Sequence, residues 1–441
     1  MKIVIAGAGE VGSHLARLLS NEEQDIYVID KDKRRLAILD AQNLYVVNGK
    51  PTSFQAMKQV GMKDCDLFIA VTPYETENVV ACSIAKSLGA RKTVARIDNY
   101  EFYNPDNREY FASFGVDDLI YPENLAAEEM LMALKHTWVR NWYELFNGEL
   151  IVVGVKLRGN SDLVNKSLIE SSSAQFMHIC AIKRKHDILI PRGNVIVLED
   201  DIVYIATKRE YLDQVIEKCG KRKKVINKVL IMGGSRIAKR LVRMSEGRYK
   251  FMIIEIDPVR SKEIAETLDC NVVCGDGRNN DLLQEENIES YDAFVALTDS
   301  SETNILACLS AKEHGVKKTI AEVENLQFIS EAETLNIGTI INKKLLASST
   351  IFQTLLDSDE SNAKCLALND AEVTEMVVKE GSKISAAPVK DLKLPQEMTL
   401  AGLVRDGVGY LVQGNTHLQP GDHVVVFSLS GWIHKVEKWF N

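Results

Sequence analysis

The sequence predicts an α/β protein built from two tandem doubly wound parallel sheets, each followed by a small α+β domain. Three observations predict it. Short apolar runs alternate with helical patterns from the first residues onward, as parallel strands and crossover helices do. The same order of landmarks returns in the second half of the 441-residue chain. Each such region is followed by period-2 apolar runs broken by Gly, Pro and Asp turns. A chain of this length is also too long for one core.

The chain opens on a short apolar run, Ile3 to Ala6, which fits a strand buried on both faces. Gly7-Ala8-Gly9-Glu10-Val11-Gly12 follows at once and enters a helical pattern from Val11 to Leu19. A second apolar run, Ile26 to Ile29, ends in Asp30. A GxGxxG turn between strand and helix, with an acid closing the next strand, is the dinucleotide fingerprint of a Rossmann-like domain. Gly7 permits the tight turn, Gly9 lets a pyrophosphate approach the backbone, and Gly12 lets helix and strand pack closely. The helix N-terminus favours the phosphate charge. Asp30 is placed to take the ribose hydroxyls, and its charge disfavours a ribose 2′-phosphate. Lys31, Lys33, Arg34 and Arg35 read as the solvated start of the next helix.

The pattern continues with strands at Leu44–Val47, Leu67–Val71, Thr93–Ile97 and Asp118–Tyr121, and a helix from Glu75 through Leu88. Ligands of such sheets bind outside the carboxyl ends of the strands. That edge carries Gly7, Gly9, Asp30, Asn48, Thr72 and Arg96, and Arg96 is expected to reach a phosphate.

The repeat is internal. Thr72-Pro-Tyr-Glu-Thr-Glu-Asn78 returns as Thr298-Asp-Ser-Ser-Glu-Thr-Asn304, Ala81-Cys82 as Ala307-Cys308, and Lys92-Thr-Val-Ala-Arg96 as Lys318-Thr-Ile-Ala-Glu322, at a constant offset of 226. Where chemistry would occur the copies differ. Ser235 stands at the close-approach glycine, Ala238 at the packing glycine, Glu255 in place of Asp30 and Glu322 in place of Arg96. Ser235 would crowd a pyrophosphate and Glu322 would repel it, so the second copy is expected to bind nucleotide weakly or not at all. The small modules repeat as well: Ile190-Pro-Arg-Gly193-Asn194 aligns with Leu411-Val-Gln-Gly414-Asn415. The expected division is 1–122 for the first sheet domain, 123–145 for connecting helices and 146–222 for the first small domain. Residues 228–347 form the second sheet domain, 348–362 a connecting helix and 363–441 the second small domain. Ala127, Leu131, Leu134, Trp138 and Trp142 form one apolar stripe at helical spacing, either core or packed on another subunit.

The net charge of −9 is spread over mixed signs, which leaves no footprint for nucleic acid. No apolar run approaches the ~18 residues of a membrane span, and the N-terminus enters a strand at once, so no signal peptide is expected. The eight cysteines form no CxxC pairs and the histidines are scattered, so neither disulfides nor a metal site is expected.

Taken together, the GAGEVGSHLARLL start, the AVTPYETEN and ALTDSSETN turns, the TVARIDN strand and the IPRGN…DDIVYI tail resemble the TrkA family, cytosolic regulatory subunits of Trk potassium uptake systems. The resemblance covers essentially the whole chain. It implies a non-enzymatic subunit that forms a homotetrameric ring beneath a membrane-embedded, TrkH-like potassium transporter, peripheral on the cytosolic face of the membrane. It also implies NAD(H) as cofactor, with ATP or ADP in relatives. By position, Gly7, Ala8, Gly9, Glu10, Val11, Gly12 and Asp30 would hold the dinucleotide. Gly49, Lys50, Val71 and Thr72 would line the adenosine or phosphate region, Arg96 would reach phosphate, and Glu123 would lie near the nucleotide or a cation. Lys343 replaces Glu123 in the second copy. Two other readings share the module. An NAD-dependent oxidoreductase would need an acid–base group at the nicotinamide, and the pairs Tyr27/Lys31 and Tyr204/Lys208 run off strand ends instead of sharing a helix face. A regulator of potassium efflux would differ in partner and direction of flux, and the second full repeat favours uptake.

Overall fold

A computed structural model describes residues 1–441 except 21–23, 42–43, 172–174, 186, 357–364, 369–370 and 430. The chain forms two compact units, Met1–Leu125 with Lys343–Ser361, and Ala126–Asn342 with Asn362–Asn441.

The first unit is built on a parallel sheet of β1 (Lys2–Ala6), β2 (Asp25–Asp30), β3 (Tyr45–Asn48), β4 (Leu67–Ala70), β5 (Lys92–Arg96) and β6 (Asp118–Ile120). The spatial order is β3-β2-β1-β4-β5-β6. The order therefore reverses beside β1, which pairs with β2 on one side and β4 on the other. Gly7 leaves β1 at that crevice, where open α/β sheets bind ligands. β4 is buried along its whole length and β1 from Ile3 onward, which explains their unbroken apolar runs. The helix Glu75–Ser87 lays Ala81, Cys82 and Ala85 on Phe68, Ala70 and Ala95, and small side chains let it approach closely.

The helix Lys343–Leu356 belongs to this first unit and packs on the helix Glu10–Ser20. Lys344 Nζ lies 2.5 Å from Glu10 Oε2. The sequence reading placed this connector at 348–362. Its helix starts five residues earlier, at Lys343, and residues 357–362 lie outside the described residues.

In the second unit β12 (Lys228–Met232), β13 (Lys250–Glu255), β14 (Asn271–Cys274), β15 (Ala293–Ala296), β16 (Lys318–Glu322) and β17 (Thr339–Ile341) repeat the first sheet strand for strand. The first small module is an antiparallel sheet of β7 (Asn141–Leu145), β8 (Leu150–Lys156), β9 (Met177–Arg184), β10 (Asp187–Leu189) and β11 (Ile202–Thr207). The second is its counterpart, with β18 (Cys365–Leu368), β19 (Ala371–Val377), β20 (Met398–Arg405), β21 (Val408–Leu411) and β22 (His423–Leu429). The two small sheets share a core in which Leu150, Ala181 and Tyr204 meet Ala371, Ala401 and Phe427.

A further element departs from the sequence reading. A helix was expected as far as Leu145, but the helix Pro122–Lys135 ends early and Asn141–Leu145 is strand β7. Trp138 and Trp142 are both buried against Val153 and Val155, so their four-residue spacing comes from a turn entering a strand. The His136 ring stacks on Trp142 with centroids 3.6 Å apart, which fixes that turn.

Candidate functional site

At the end of β1, Gly7 takes φ +113°, a left-handed conformation that favours glycine. A Cβ on Gly12 would sit 1.8 Å from the Gly7 carbonyl oxygen, so only glycine lets the helix start this close to the turn. A Cβ on Gly9 would meet nothing nearer than Arg35 Nη1 at 3.9 Å. That face of the turn is open, as the approach of a pyrophosphate requires.

Asp30 ends β2 and is buried. Its Oδ2 accepts from the Ala8 amide at 2.6 Å and its Oδ1 from the Asp32 amide at 2.7 Å. The carboxylate thus braces the glycine turn from below, a role the fingerprint alone does not disclose. Each oxygen retains a second lone pair for a ribose hydroxyl. The Gly49 amide and the Asn48 side chain both donate to the Asp30 carbonyl, which carries the edge across to Gly49 and the exposed Lys50.

On the other side of the crevice, Val71 and Thr72 are buried after β4. The side chain that holds them is Asn78, which the sequence offers as a helix start and a landmark of the repeat. Asn78 Oδ1 accepts from the Thr72 amide at 2.9 Å and from its hydroxyl at 2.7 Å. Its Nδ2 donates to the Thr72 carbonyl and to the Arg96 carbonyl at 2.8 Å. One buried amide therefore ties the ends of β4 and β5 together. Asn304 makes the same four bonds to Thr298 and Glu322, so the repeated Thr-x5-Asn spacing was the signal available in the sequence.

Gly7, Gly9, Gly12, Asp30, Gly49, Val71, Thr72 and Arg96 all stand at the carboxyl edge of one sheet. The guanidinium of Arg96 makes no hydrogen bond or ion pair among the described residues. Glu123 is 2% exposed at the start of the helix Pro122–Lys135. Glu10 opens the helix that follows the glycine turn and is held by Lys344.

The second copy keeps the frame and alters the mouth. Glu255 braces the turn as Asp30 does, accepting from the Gly234 amide at 2.6 Å and the Asp257 amide at 2.9 Å. Ser235, however, turns its hydroxyl onto the Ala238 amide at 3.3 Å and caps the helix Arg236–Met244 internally. A helix-terminal donor that a phosphate would use is already satisfied. A cavity of about 270 Å³ remains beside Gly233, Ser235, Glu255, Arg260 and Thr298. Arg278 does not face it as a free cation, because Asp276 holds it at 2.7 Å.

A cavity of about 680 Å³ opens between the small modules, walled by Met177, His178, Arg192, Thr399 and Gln413. Burial pushes the His178 imidazole down to about 4, so it is neutral at physiological pH. Arg192 spends its guanidinium on the carbonyls of Leu394, Pro395 and Met398. One side chain thus holds the loop that leads into β20.

Neither Tyr–Lys pair is arranged for hydride chemistry. Tyr204 is buried in the core shared by the small modules, and Lys208 pairs with Glu210 at 2.9 Å. Tyr27 stacks on Tyr45. Among the described residues no cluster of His, Cys, Asp and Glu could hold a metal ion, and no helix is long and apolar enough to cross a membrane.

A twice-repeated dinucleotide-type sheet module, with a braced phosphate turn and an antiparallel small module after each copy, defines a tandem nucleotide-binding regulatory protein. Family models agree: the TrkA-N domain matches residues 3–122 and 229–343, and the TrkA-C domain residues 152–220 and 373–441. The chain belongs to the TrkA family of Trk-system potassium uptake proteins, non-catalytic regulatory subunits built on tandem nucleotide-binding domains. It is 30% identical to the Trk system potassium uptake protein TrkA of Vibrio alginolyticus, over all of this chain and 98% of that one. It is 29% identical to the TrkA of Halomonas elongata over the same shares. Among solved structures, the GsuK RCK domain superposes with a TM-score of 0.61 at 16% identity, covering 100% of this chain and 94% of that one, and shows the same fold.

Proposed function

We propose that this chain is the gating subunit of a membrane-embedded, Trk-type potassium transporter, acting from the cytosolic face as a homo-oligomeric ring, and that NAD(H) in its first sheet module sets the state of the ring. The observation that carries this reading is the first phosphate turn, which is braced by a buried acid, open on its Gly9 face and flanked by an uncommitted Arg96. Gly7 to Gly12 and Asp30 hold the pyrophosphate and ribose, Gly49, Lys50, Val71 and Thr72 line the adenosine side, and Arg96 and Glu123 close the site. The second module, with its self-capped helix, contributes geometry more than affinity.

Support comes from the TrkA-N domain type, from the full-length likeness to Trk-system uptake proteins, and from the fold shared with a GsuK channel solved bound to NAD and another bound to ADP. A nucleotide changes gating only through different affinities for two shapes of the ring. A coupling of about 1–3 kcal/mol gives a roughly 5–150-fold effect.

The test is calorimetric titration of the purified chain with NADH, NAD, ATP and ADP, followed by nucleotide titration of potassium flux with the transporter it co-purifies with. Asp30→Ala is expected to weaken NAD(H) binding at least tenfold and to uncouple flux from nucleotide. Unchanged binding in that variant would sink the site assignment, and robust hydride transfer to any substrate would overturn the regulatory reading.

A further inference from the structure

The two copies of the sheet module offer a comparison inside one molecule. In the first, Lys86 Nζ lies 2.7 Å from Asp117 and Lys92 Nζ lies 2.9 Å from Asp118. Their counterparts in the second copy are Lys312 and Lys318, at the offset of 226. The register of the last two strands matches as well, because Asp118 faces Val94 and Thr339 faces Ile320. By that register Gly338 and Thr339 stand where the two aspartates stood. Both lysines were kept and both carboxylates were lost.

Other cations have gathered at the same place. Arg140, entering β7, donates to the Gly338 carbonyl and, at 3.1 Å, to Asn336 Oδ1. Lys312 grips the Asn336 carbonyl, and Lys318 Nζ donates to the Thr339 hydroxyl at 2.9 Å. Lys156 and Arg158 of the neighbouring small sheet share one acid, Asp200, at 3.3 and 2.6 Å. The Asn160 side chain holds the Gly220 carbonyl, which sets Lys221 beside Arg158. Burial lowers the ammonium groups of Lys156, Lys221, Lys312 and Lys318, and the charge of Arg140 lowers each of them further. Glu129, Glu199 and Glu333 also lie near the cluster; Glu199 accepts from the Gly159 amide at 2.9 Å and Glu333 is taken by Lys183 at 2.8 Å. Arg140, Lys221, Lys312 and Lys318 have no carboxylate within ion-pair distance among the described residues. In a chain of net charge −9 this is an unneutralised, half-buried concentration of positive charge. It lies at the amino-terminal edge of the second sheet, opposite the nucleotide edge. Cations taken from water and left without counterions are costly.

We infer that Arg140, Lys156, Arg158, Lys221, Lys312 and Lys318 form a binding site for a small multivalent oxyanion of the phosphate class, which replaces the two missing aspartates. Such an anion neutralises the junction of the first small sheet with the second parallel sheet and stiffens it. The site is a second regulatory input, separate from the dinucleotide turn.

The experiment is thermal unfolding of the full chain with pyrophosphate or inorganic phosphate, against potassium chloride at matched ionic strength. Pyrophosphate at millimolar concentration is expected to raise the Tm by about 3 °C or more over chloride, as binding to the folded state requires. Thr339→Asp restores the carboxylate that Asp118 supplies in the first copy. It is expected to raise the Tm without anion and to abolish the pyrophosphate response. Lys221→Gln, half-buried and outside any ion pair among the described residues, is expected to leave the fold intact and reads the same site should Thr339→Asp fold poorly. It is expected to weaken pyrophosphate binding about tenfold by calorimetry. Equal shifts with chloride and pyrophosphate would overturn the inference. So would a pyrophosphate response that survives in Lys221→Gln, which would place the anion at the glycine turn.

Discussion

Gly12 and Gly9 are one helical turn apart, and the structure assigns them opposite sensitivities. Gly12→Ala drives a methyl into the Gly7 carbonyl and is expected to cost about 1–3 kcal/mol, seen as a lowered Tm without any ligand. Gly9→Ala meets open space, so the Tm should hold while NADH affinity falls in calorimetry. Asn78→Ala removes four hydrogen bonds from a fully buried position and leaves the Thr72 amide and Arg96 carbonyl unmet. A loss on the order of 2–3 kcal/mol is expected. Asn304→Ala should cost about as much stability without touching NADH binding. Equal loss of NADH binding in both variants would count against the first module as the working site. At this scale the fingerprint was legible from spacing alone, because glycines at fixed intervals have few other uses. Asn78 was not, because its partners Thr72 and Arg96 belong to two different strand ends that only the folded sheet brings together.

At the scale of elements, the helix Pro122–Lys135 carries Glu129 to the neighbourhood of Lys318 on β16. Burial pushes the Glu129 carboxyl up to about 7, against the pull of Lys318. Between its ordinary 4.5 and about 7 the folded chain keeps a proton that the unfolded chain has released, so stability falls as pH rises through that window. Lys318 is lowered to about 7 by burial first and then by Arg140 and Lys312. From about 7 to its ordinary 10.5 the unfolded chain holds the extra proton, so stability rises with pH. The two groups contribute limbs of opposite slope that meet near neutrality, about 3 kcal/mol for Glu129 and about 5 kcal/mol for Lys318. The imidazoles of His136 and His178, both lowered by burial to about 4, oppose the Glu129 limb below 6.5. Melting curves from pH 5 to 10 check this. Relative to the parent chain, Glu129→Gln should remove a fall in stability with rising pH below about 7 and Lys318→Met a rise above it, and a profile unchanged in both variants would refute the assignment. Order and type of the strands in the two parallel sheets could be read from the sequence, since buried parallel strands are unbroken apolar runs. Strand β7 could not, because Trp138 and Trp142 imitate a helical repeat while packing as a turn and a strand.

For the whole molecule, the duplication separates what the fold needs from what the site needs. Both copies keep the acid that braces the turn and the asparagine that ties two strand ends, so these are conditions of the fold. Only the first copy keeps the open glycine face, and the proposed nucleotide site depends on that face. Calorimetry of the full chain should therefore return one tight NADH site per chain. Two equal sites would show that the Ser235 cap yields to phosphate.

The helix Lys343–Leu356 completes the unit formed by Met1–Leu125. During synthesis, then, the dinucleotide turn leaves the ribosome hundreds of residues before the segment that covers its helix. The nascent first module must wait, with an apolar flank open to chaperones, until Lys343–Leu356 has been made. A translation stop placed between the halves should yield a product that is caught by holdases or clipped by proteases, even though every nucleotide-facing residue has been made.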